Sequence, residues 1–358
     1  MRKYVYMEVG NLRLTRGNRM KKPKIIATVN SNVLDEVEWR IRNMMEYGIT
    51  DFRVNLSKMI TSDEIDRQVD NIVGFKTKYC DTANIMLDLP YPQRKLRIFL
   101  QNGANKMVVN KGDCICLCSQ NTACICTEKL IFADDARIYQ KRYVGERVVY
   151  GDLEGEFTVV DICDDKRIIL EAKVDVTLKN TKSLVFETQI DTVLDIQMYV
   201  NCIKRVKPES ITLSFVEDVA AIRLLKEELH KEGIDTQIIS KIESKRGMSI
   251  LDSILQETEV MLGRGDYCNI DPLSDLISVE KTLINCAERN CREVYIATGI
   301  MNSLINASYP SQSDLVDLWL MLKLGVSGIV LNGGLTMSDY FSYACEIIMD
   351  IISKNHLE

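Results

Sequence analysis

Eight short aliphatic runs recur along the chain with helical periodicity between them, and that alternation limits the fold more than any other feature. The runs are Lys24–Val29, Asp51–Leu56, Asn84–Leu89, Ser210–Phe215, Thr236–Glu243, Glu259–Asp266, Glu293–Ile300 and Ser327–Gly334. Several are apolar at consecutive positions, the pattern of strands covered on both faces. Between them, Leu34, Val37, Ile41 and Met44 form a helical stripe closed by Gly48. Val219, Ile222, Leu225 and Leu229 form a second, closed by Gly233; Leu315, Leu318 and Leu322 form a third, closed by Gly325. Eight such units predict an α/β chain folded as a parallel (β/α)8 TIM barrel.

One interval breaks the rhythm. From Leu89 to Ser210 the chain is far too long for a helical crossover, and its centre has no helix period. Val108–Asp113, Val144–Tyr150 and Glu156–Val160 have strand character. Cys114–Cys118 and Ala123–Cys126 read as hairpin strands around a Ser119–Thr122 turn. Residues 98–182 are therefore expected to form a small all-β domain inserted after the third barrel strand, where a mobile lid would belong. The barrel is then 1–97 and 183–358, with 1–22 as an N-terminal extension.

Composition excludes several classes. The net charge of −6 lacks the basic stripe of a nucleic-acid binder. The basic stretch through Lys22 has no apolar core of a signal peptide, and no run reaches the roughly 18 apolar residues of a membrane helix. Twelve cysteines without an export signal read as reduced thiols, so a soluble cytoplasmic protein is expected. The two histidines, His230 and His356, lie far from any strand end, which argues against histidine catalysis or a histidine-bound zinc. Cys114, Cys116, Cys118, Cys124 and Cys126 are spaced Cys-x-Cys, unlike the usual Cys-x2-Cys of structural zinc. They are expected to pack the hairpin, as is Cys291 beside a strand start.

In a barrel the C-terminal strand ends reach substrate. Here they carry Arg53, Asn55, Ser57, Asp88, Ser214, Lys241, Glu243, Asp266 and Thr298. Glu243 and Asp266 are hard oxygen donors suited to Mg2+ or Mn2+. Lys241 and Arg53 can neutralise a phosphoryl group. The Gly263–Asp266 turn, with Gly265 inside it, can offer backbone N–H groups to a carboxylate. Asn55, Ser57 and Asp88 suit a monovalent cation. Each alone has an ordinary explanation, an ion pair for Lys-x-Glu or a turn for Arg-Gly-Asp. All of them fall on one rim of a barrel inferred without them, and that favours a shared site.

These residues resemble the pyruvate kinase family, from about Lys24 onward. Lys24-Ile25-Ile26-Ala27-Thr28 is similar to its first barrel strand, Arg53-Val54-Asn55-Leu56-Ser57 to its Arg-x-Asn-x-Ser motif, and Leu87-Asp88 to the start of its Leu-Asp-Thr-Lys-Gly-Pro. Lys111-Gly112-Asp113 and Val144-Gly145-Glu146-Arg147 resemble its lid domain. Ser214-Phe215-Val216, Ile238 to Glu243, Gly263-Arg264-Gly265-Asp266 and Ala297-Thr298 follow in the family's order. The resemblance implies transfer of a phosphoryl group between phosphoenolpyruvate and a nucleoside diphosphate through a metal-bound enolpyruvate, with Mg2+ (or Mn2+) and K+. It implies Lys241 as the phosphoryl-transfer lysine, Glu243 and Asp266 as divalent-metal ligands and Arg53 on the phosphoryl group. Thr298 would sit near the enolate carbon. Asn55, Ser57, Asp88 and the Leu89 carbonyl would hold K+. Small-molecule partners follow: phosphoenolpyruvate, pyruvate, ADP and ATP. Pairing of subunits through faces such as the Trp319 helix stays open.

The departures concentrate on the nucleotide and regulatory sides. Asn30-Ser31 replaces Gly-Pro, Lys58 replaces His, and Leu89-Pro90-Tyr91 replaces Thr-Lys-Gly. Arg94 or Arg97 stands for the next arginine, and Asp152, after Gly151, for the lid's paired acids. Asn332-Gly333-Gly334-Leu335 replaces Ser-Gly-Glu-Thr. The family's C-terminal regulatory domain is expected to be missing after Glu358. Two alternatives remain: a lyase or transferase of phosphoenolpyruvate or a 2-oxo acid with another acceptor, and a non-catalytic sensor.

Overall fold

The computed structural model describes residues 22–29, 38–56, 62–79, 82–89, 96–119, 129–134, 136–151, 153–164, 167–180, 182–188, 194–270 and 273–355. Three strands come first: β1 (Lys24–Val29), β2 (Asp51–Asn55) and β3 (Asn84–Asp88). Nine follow in the long interval: β4 (Leu96–Leu100), β5 (Lys106–Val109), β6 (Cys114–Ser119), β7 (Lys129–Ala133), β8 (Arg147–Tyr150), β9 (Gly155–Cys163), β10 (Arg167–Ala172), β11 (Val176–Lys179) and β12 (Ser183–Phe186). The last five are β13 (Ser210–Leu213), β14 (Gln237–Ile242), β15 (Glu259–Gly263), β16 (Val294–Ala297) and β17 (Gly328–Leu331). The eight aliphatic runs close into one parallel barrel in the order β1-β17-β16-β15-β14-β13-β3-β2.

Helices cover the outside of this barrel because the outward strand residues are apolar. Phe52 and Val54 of β2, for example, are fully buried in the main core with Ile41 and Met44 of the helix Glu38–Glu46. Sequence chemistry fixes the helix ends. The helix Gln312–Leu324 starts on a Ser311/Asp314 capping box and stops on Gly325 in the left-handed region. Gly48 and Gly233, expected as stop signals, also have positive φ.

The inward residues matter more for function. Ile26, Met86, Ile239, Met261, Tyr295, Ala297 and Val330 form a separate apolar cluster that fills the barrel. Strand side chains repeat every second residue. Two positions beyond Ile26, Met86, Ile239 and Met261 stand Thr28, Asp88, Lys241 and Gly263. A polar layer therefore rests directly on an apolar plug.

Six of the interpolated strands, with β12, close a second barrel in the order β10-β6-β7-β4-β12-β8-β9, while β11 and β5 pair alone. It has its own core, including Ile98, Ile115, Leu117, Tyr150, Phe157 and Leu170. Its strands run from Leu96 to Phe186, slightly wider than the expected 98–182.

Several local expectations need correction. Among the described strands, β6 pairs in parallel with β7 and antiparallel with β10. Ser119 ends β6 instead of opening a turn, and Ala123–Cys126 lie outside the described residues. β15 stops at Gly263, and Arg264–Ile270 is helical. β17 stops at Leu331, where Asn332 caps the helix Gly333–Thr336. In both places a short polar, glycine-containing segment, Arg264-Gly265-Asp266 or Asn332-Gly333-Gly334, leads straight from strand into helix. Cys291 is exposed, at φ 54, instead of packed.

Candidate active site

Asp88, the last residue of β3, organises the polar layer. It is completely buried. Its Oδ1 accepts from Thr212 Oγ1 at 2.6 Å and Ser214 Oγ at 3.5 Å, and its Oδ2 accepts from Arg53 Nη2 and, at 3.4 Å, Lys241 Nζ. Burial alone would push this carboxyl up; the Lys241 and Arg53 charges and the Thr212 hydrogen bond outweigh it and hold it below the usual carboxylate range.

Lys241 is pinned on three sides. Its ammonium donates to Ser214 Oγ at 2.9 Å and pairs with Glu243 Oε1 at 3.0 Å as well as with Asp88. Burial favours loss of the proton, yet Asp88 and Glu243 dominate and keep the amine above its usual range. Arg53 also donates to Thr28 Oγ1 at 3.2 Å, while its buried Nε has no acceptor. A guanidinium donor is thus left over on the rim.

Glu243 follows β14 and is almost fully buried. Its Oε2 accepts from the Phe215 backbone N–H at 2.9 Å. Burial pushes its carboxyl up to about 7, with Lys241 opposing and the Asp266 charge adding to the rise. Asp266 is therefore close enough for the two carboxylates to repel. Gly263 makes room for this pairing, since a Cβ there would lie 2.6 Å from Glu243 Oε1.

Thr298 closes the group at the end of β16. It is exposed and has φ 75, a conformation rare for a β-branched residue. A Cβ on Gly265 would meet Thr298 Cγ2 at 2.9 Å, which sets the two backbones side by side. Arg264 holds this turn from below. It is buried, donates from Nε to Thr298 O at 2.8 Å, forks onto Asp317 at 2.7 and 2.9 Å, and reaches Glu280 at 3.2 Å.

Glu243 and Asp266 fit a divalent cation. Two like charges repel here, both ligands are hard oxygens, and Gly263 leaves the space clear. Among the described residues no three acids, histidines or cysteines converge, so the protein would supply two ligands and leave the other positions to water and substrate. The K+ set fits less well. Asn55 lies opposite Asp88 in the β2–β3 register, but both Asp88 oxygens already take side-chain donors. Leu89 is buried, with its N–H on Thr212 O at 3.1 Å. Ser57, Arg94 and Asp152 lie outside the described residues.

A family model described as pyruvate kinase, barrel domain, matches residues 20–344. The chain belongs to the pyruvate kinase family. It is 21% identical over 340 residues to the pyruvate kinase of Thermotoga maritima, covering 94% of this chain and 71% of that one. It is 26% identical over 353 residues to that of Bacillus licheniformis, covering 94% and 57%. A solved structure of a pyruvate kinase from Cryptosporidium parvum superposes with TM-score 0.76 at 20% identity, covering 94% of this chain and 69% of that one, and shares the fold. The chain thus spans between 57% and 71% of the length of these pyruvate kinases.

Thr212, Arg264, Glu280 and Asp317 had no assigned role in the sequence reading. Thr212 follows Ser210 by two within one strand, so strand parity could have placed it inside. The Arg264 clasp joins the end of β15 to helices Leu276–Arg289 and Gln312–Leu324, and no local pattern signals that pairing. No helix among the described residues is long and apolar enough to cross a membrane.

Proposed function

We propose that this member of the pyruvate kinase family is an enzyme that moves a phosphoryl group between phosphoenolpyruvate and a nucleoside diphosphate. The observation that carries the reading is the buried Lys241 ammonium, held between Asp88 and Glu243 on the rim that also presents Asp266. Asp88 keeps Lys241 charged and fixes both Lys241 and Arg53 in direction. The ammonium then offsets negative charge on the phosphoryl group in flight, and Arg53 Nε donates to one of its oxygens. Glu243 and Asp266 would hold Mg2+ or Mn2+, which supplies Lewis-acid stabilisation of the enol oxygen and phosphate charge. Thr298 positions the water that protonates the enolate carbon, with the Gly265 backbone beside the substrate carboxylate. Cytoplasmic location fits this chemistry. Trp319 and Val316 are exposed on the helix Gln312–Leu324, a face open to a second copy.

A coupled assay for pyruvate release over a panel of nucleoside diphosphates tests the reading. Lys241→Met should lower turnover by about 10²–10³-fold while Mn2+ binding persists. Unchanged turnover would remove Lys241 from the chemistry. The sequence departures at Leu89-Pro90-Tyr91 and Asp152 favour one second reading, an enolate enzyme with another acceptor. It predicts exchange of the pyruvate methyl protons with solvent without nucleotide, and no turnover with any nucleoside diphosphate. Stabilisation by phosphoenolpyruvate and Mg2+ with neither turnover nor exchange would identify a sensor.

A further inference from the structure

The barrel is polar at both ends, and the phosphoryl chemistry uses only one of them. Two positions before the inward Ile26, Met86, Ile239 and Tyr295 stand Lys24, Asn84, Gln237 and Glu293. Strand parity therefore lays a second polar layer beneath the apolar plug. Asp51 and Ser210 join it, two positions before the inward Arg53 and Thr212. This layer does not close. A cavity of about 220 Å3 remains, floored by Ile26, Met86 and Tyr295 and walled in part by Asp51, Glu209 and Ser210. Lys24, Asn84 and Glu209 are exposed at its mouth, so small solutes reach it.

Two side chains in this well lack the partners their burial calls for. Ser210 is only 8% exposed, yet among the described residues its hydroxyl has no hydrogen-bond partner. Buried hydroxyls are ordinarily paired, as Thr212 is with Asp88, so this one is left over for something that enters the cavity. Asp51 is the least compensated carboxylate of the wall. Among the described residues it takes only long side-chain bonds, from Asn84 Nδ2 at 3.3 Å and Thr50 Oγ1 at 3.5 Å, and burial pushes it up. Glu209, by contrast, has Lys76 Nζ at 2.6 Å and the Ile85 N–H at 2.7 Å. Asp51 and Ser210 flank β3 from either side, opposite Asn84 and Met86.

Charge and size select the ligand. Lys24 is the one cation among the lining residues, against Asp51 and Glu209, and its nearest carboxylate is Glu293 at 3.9 Å. Glu293, Glu259 and Asp51 all push the Tyr295 hydroxyl up, so the floor lies in a negative field that repels anions. A divalent ion finds too few ligands, because no three acids, histidines or cysteines converge among the described residues. The volume matches about seven waters at about 30 Å3 each, which limits an organic ligand to a few heavy atoms. The apolar floor favours a carbon skeleton over a hydrated inorganic ion.

We propose that this well binds a small organic ammonium ion, its nitrogen held by the Asp51 carboxylate and the Ser210 hydroxyl and its carbon skeleton laid on Ile26 and Met86. The site lies at the opposite end of the barrel from Glu243 and Asp266 and does not depend on the reaction assigned there.

Calorimetric titration of the full chain with butylammonium, butanol and butyrate, with and without Mn2+, tests it. Butylammonium should bind saturably, at least tenfold more tightly than butanol, and butyrate should not bind. Asp51→Asn should weaken butylammonium at least tenfold and Ser210→Ala severalfold. No saturable binding, equal affinity for butanol, or an unchanged affinity in Asp51→Asn overturns the inference. Binding that Mn2+ abolishes would belong to Glu243 and Asp266 and overturn it too. Should Asp51→Asn fail to fold, Lys24→Met decides. Loss of the wall's cation should tighten butylammonium severalfold, and unchanged or weaker binding sinks the proposal.

Discussion

At the scale of single residues, Asp88 is the anion on which two buried cations depend. Asp88→Asn removes the charge shared by Lys241 and Arg53 and leaves Lys241 with Glu243 alone, and breaking a buried pair in this way costs about 3–5 kcal/mol. The variant should show a clearly lower thermal midpoint; an unchanged midpoint would mean that Glu243 alone balances Lys241. Glu243 carries a pH signature. Its ordinary value is 4.5 and burial raises it to about 7, so its contribution to stability is fully present below about 4.5 and is lost as pH rises through about 7. In chelator, the thermal midpoint of the native chain minus that of Glu243→Gln should fall between about pH 5 and about pH 8. A constant difference would show that the carboxyl is ionised throughout. Residue types at strand ends were legible because Lys, Glu, Asp and Arg are rare inside apolar runs. Their partners were not: Thr212 and Ser214 look like ordinary strand residues until β13 is laid beside β3.

At the scale of elements, the ends of β15 and β16 are shaped by close approach. Gly263→Ala drives a Cβ into Glu243 and should weaken Mn2+ binding at least tenfold, read by calorimetry, with the fold retained by circular dichroism. Thr298 is held at φ 75 at a cost of about 1–3 kcal/mol. Thr298→Gly should therefore raise the thermal midpoint while lowering turnover, and a variant that loses both would show that the side chain packs instead of acting. The existence of all eight barrel strands was readable from their apolar runs. Their ends were not, because at β15 the chain passes from Gly263 straight into the helix Arg264–Ile270 with no loop between them. The direction of the β6–β7 pairing was not legible either, because strand propensity says nothing of whether a partner runs parallel or antiparallel.

At the scale of the whole molecule, the two barrels meet where Arg147 at the start of β8 donates from Nη1 to Asn269 O at 3.2 Å, three residues beyond Asp266. Arg147→Ala should speed amide hydrogen exchange in the helix Arg264–Ile270 and leave exchange in β1 and β17 unchanged. Uniform acceleration would point to global destabilisation. The sequence by itself determined the parallel barrel, the long interruption after its third strand and the side chains crowding one rim, because period, strand parity and the rarity of charge in apolar runs are local properties. Tertiary structure alone decided that Asp88 joins Arg53 to Lys241 and that Arg264 braces Thr298 instead of facing the rim. Those outcomes depend on which strands lie side by side and on how far burial weakens the screening of charge, and both emerge only when distant segments pack.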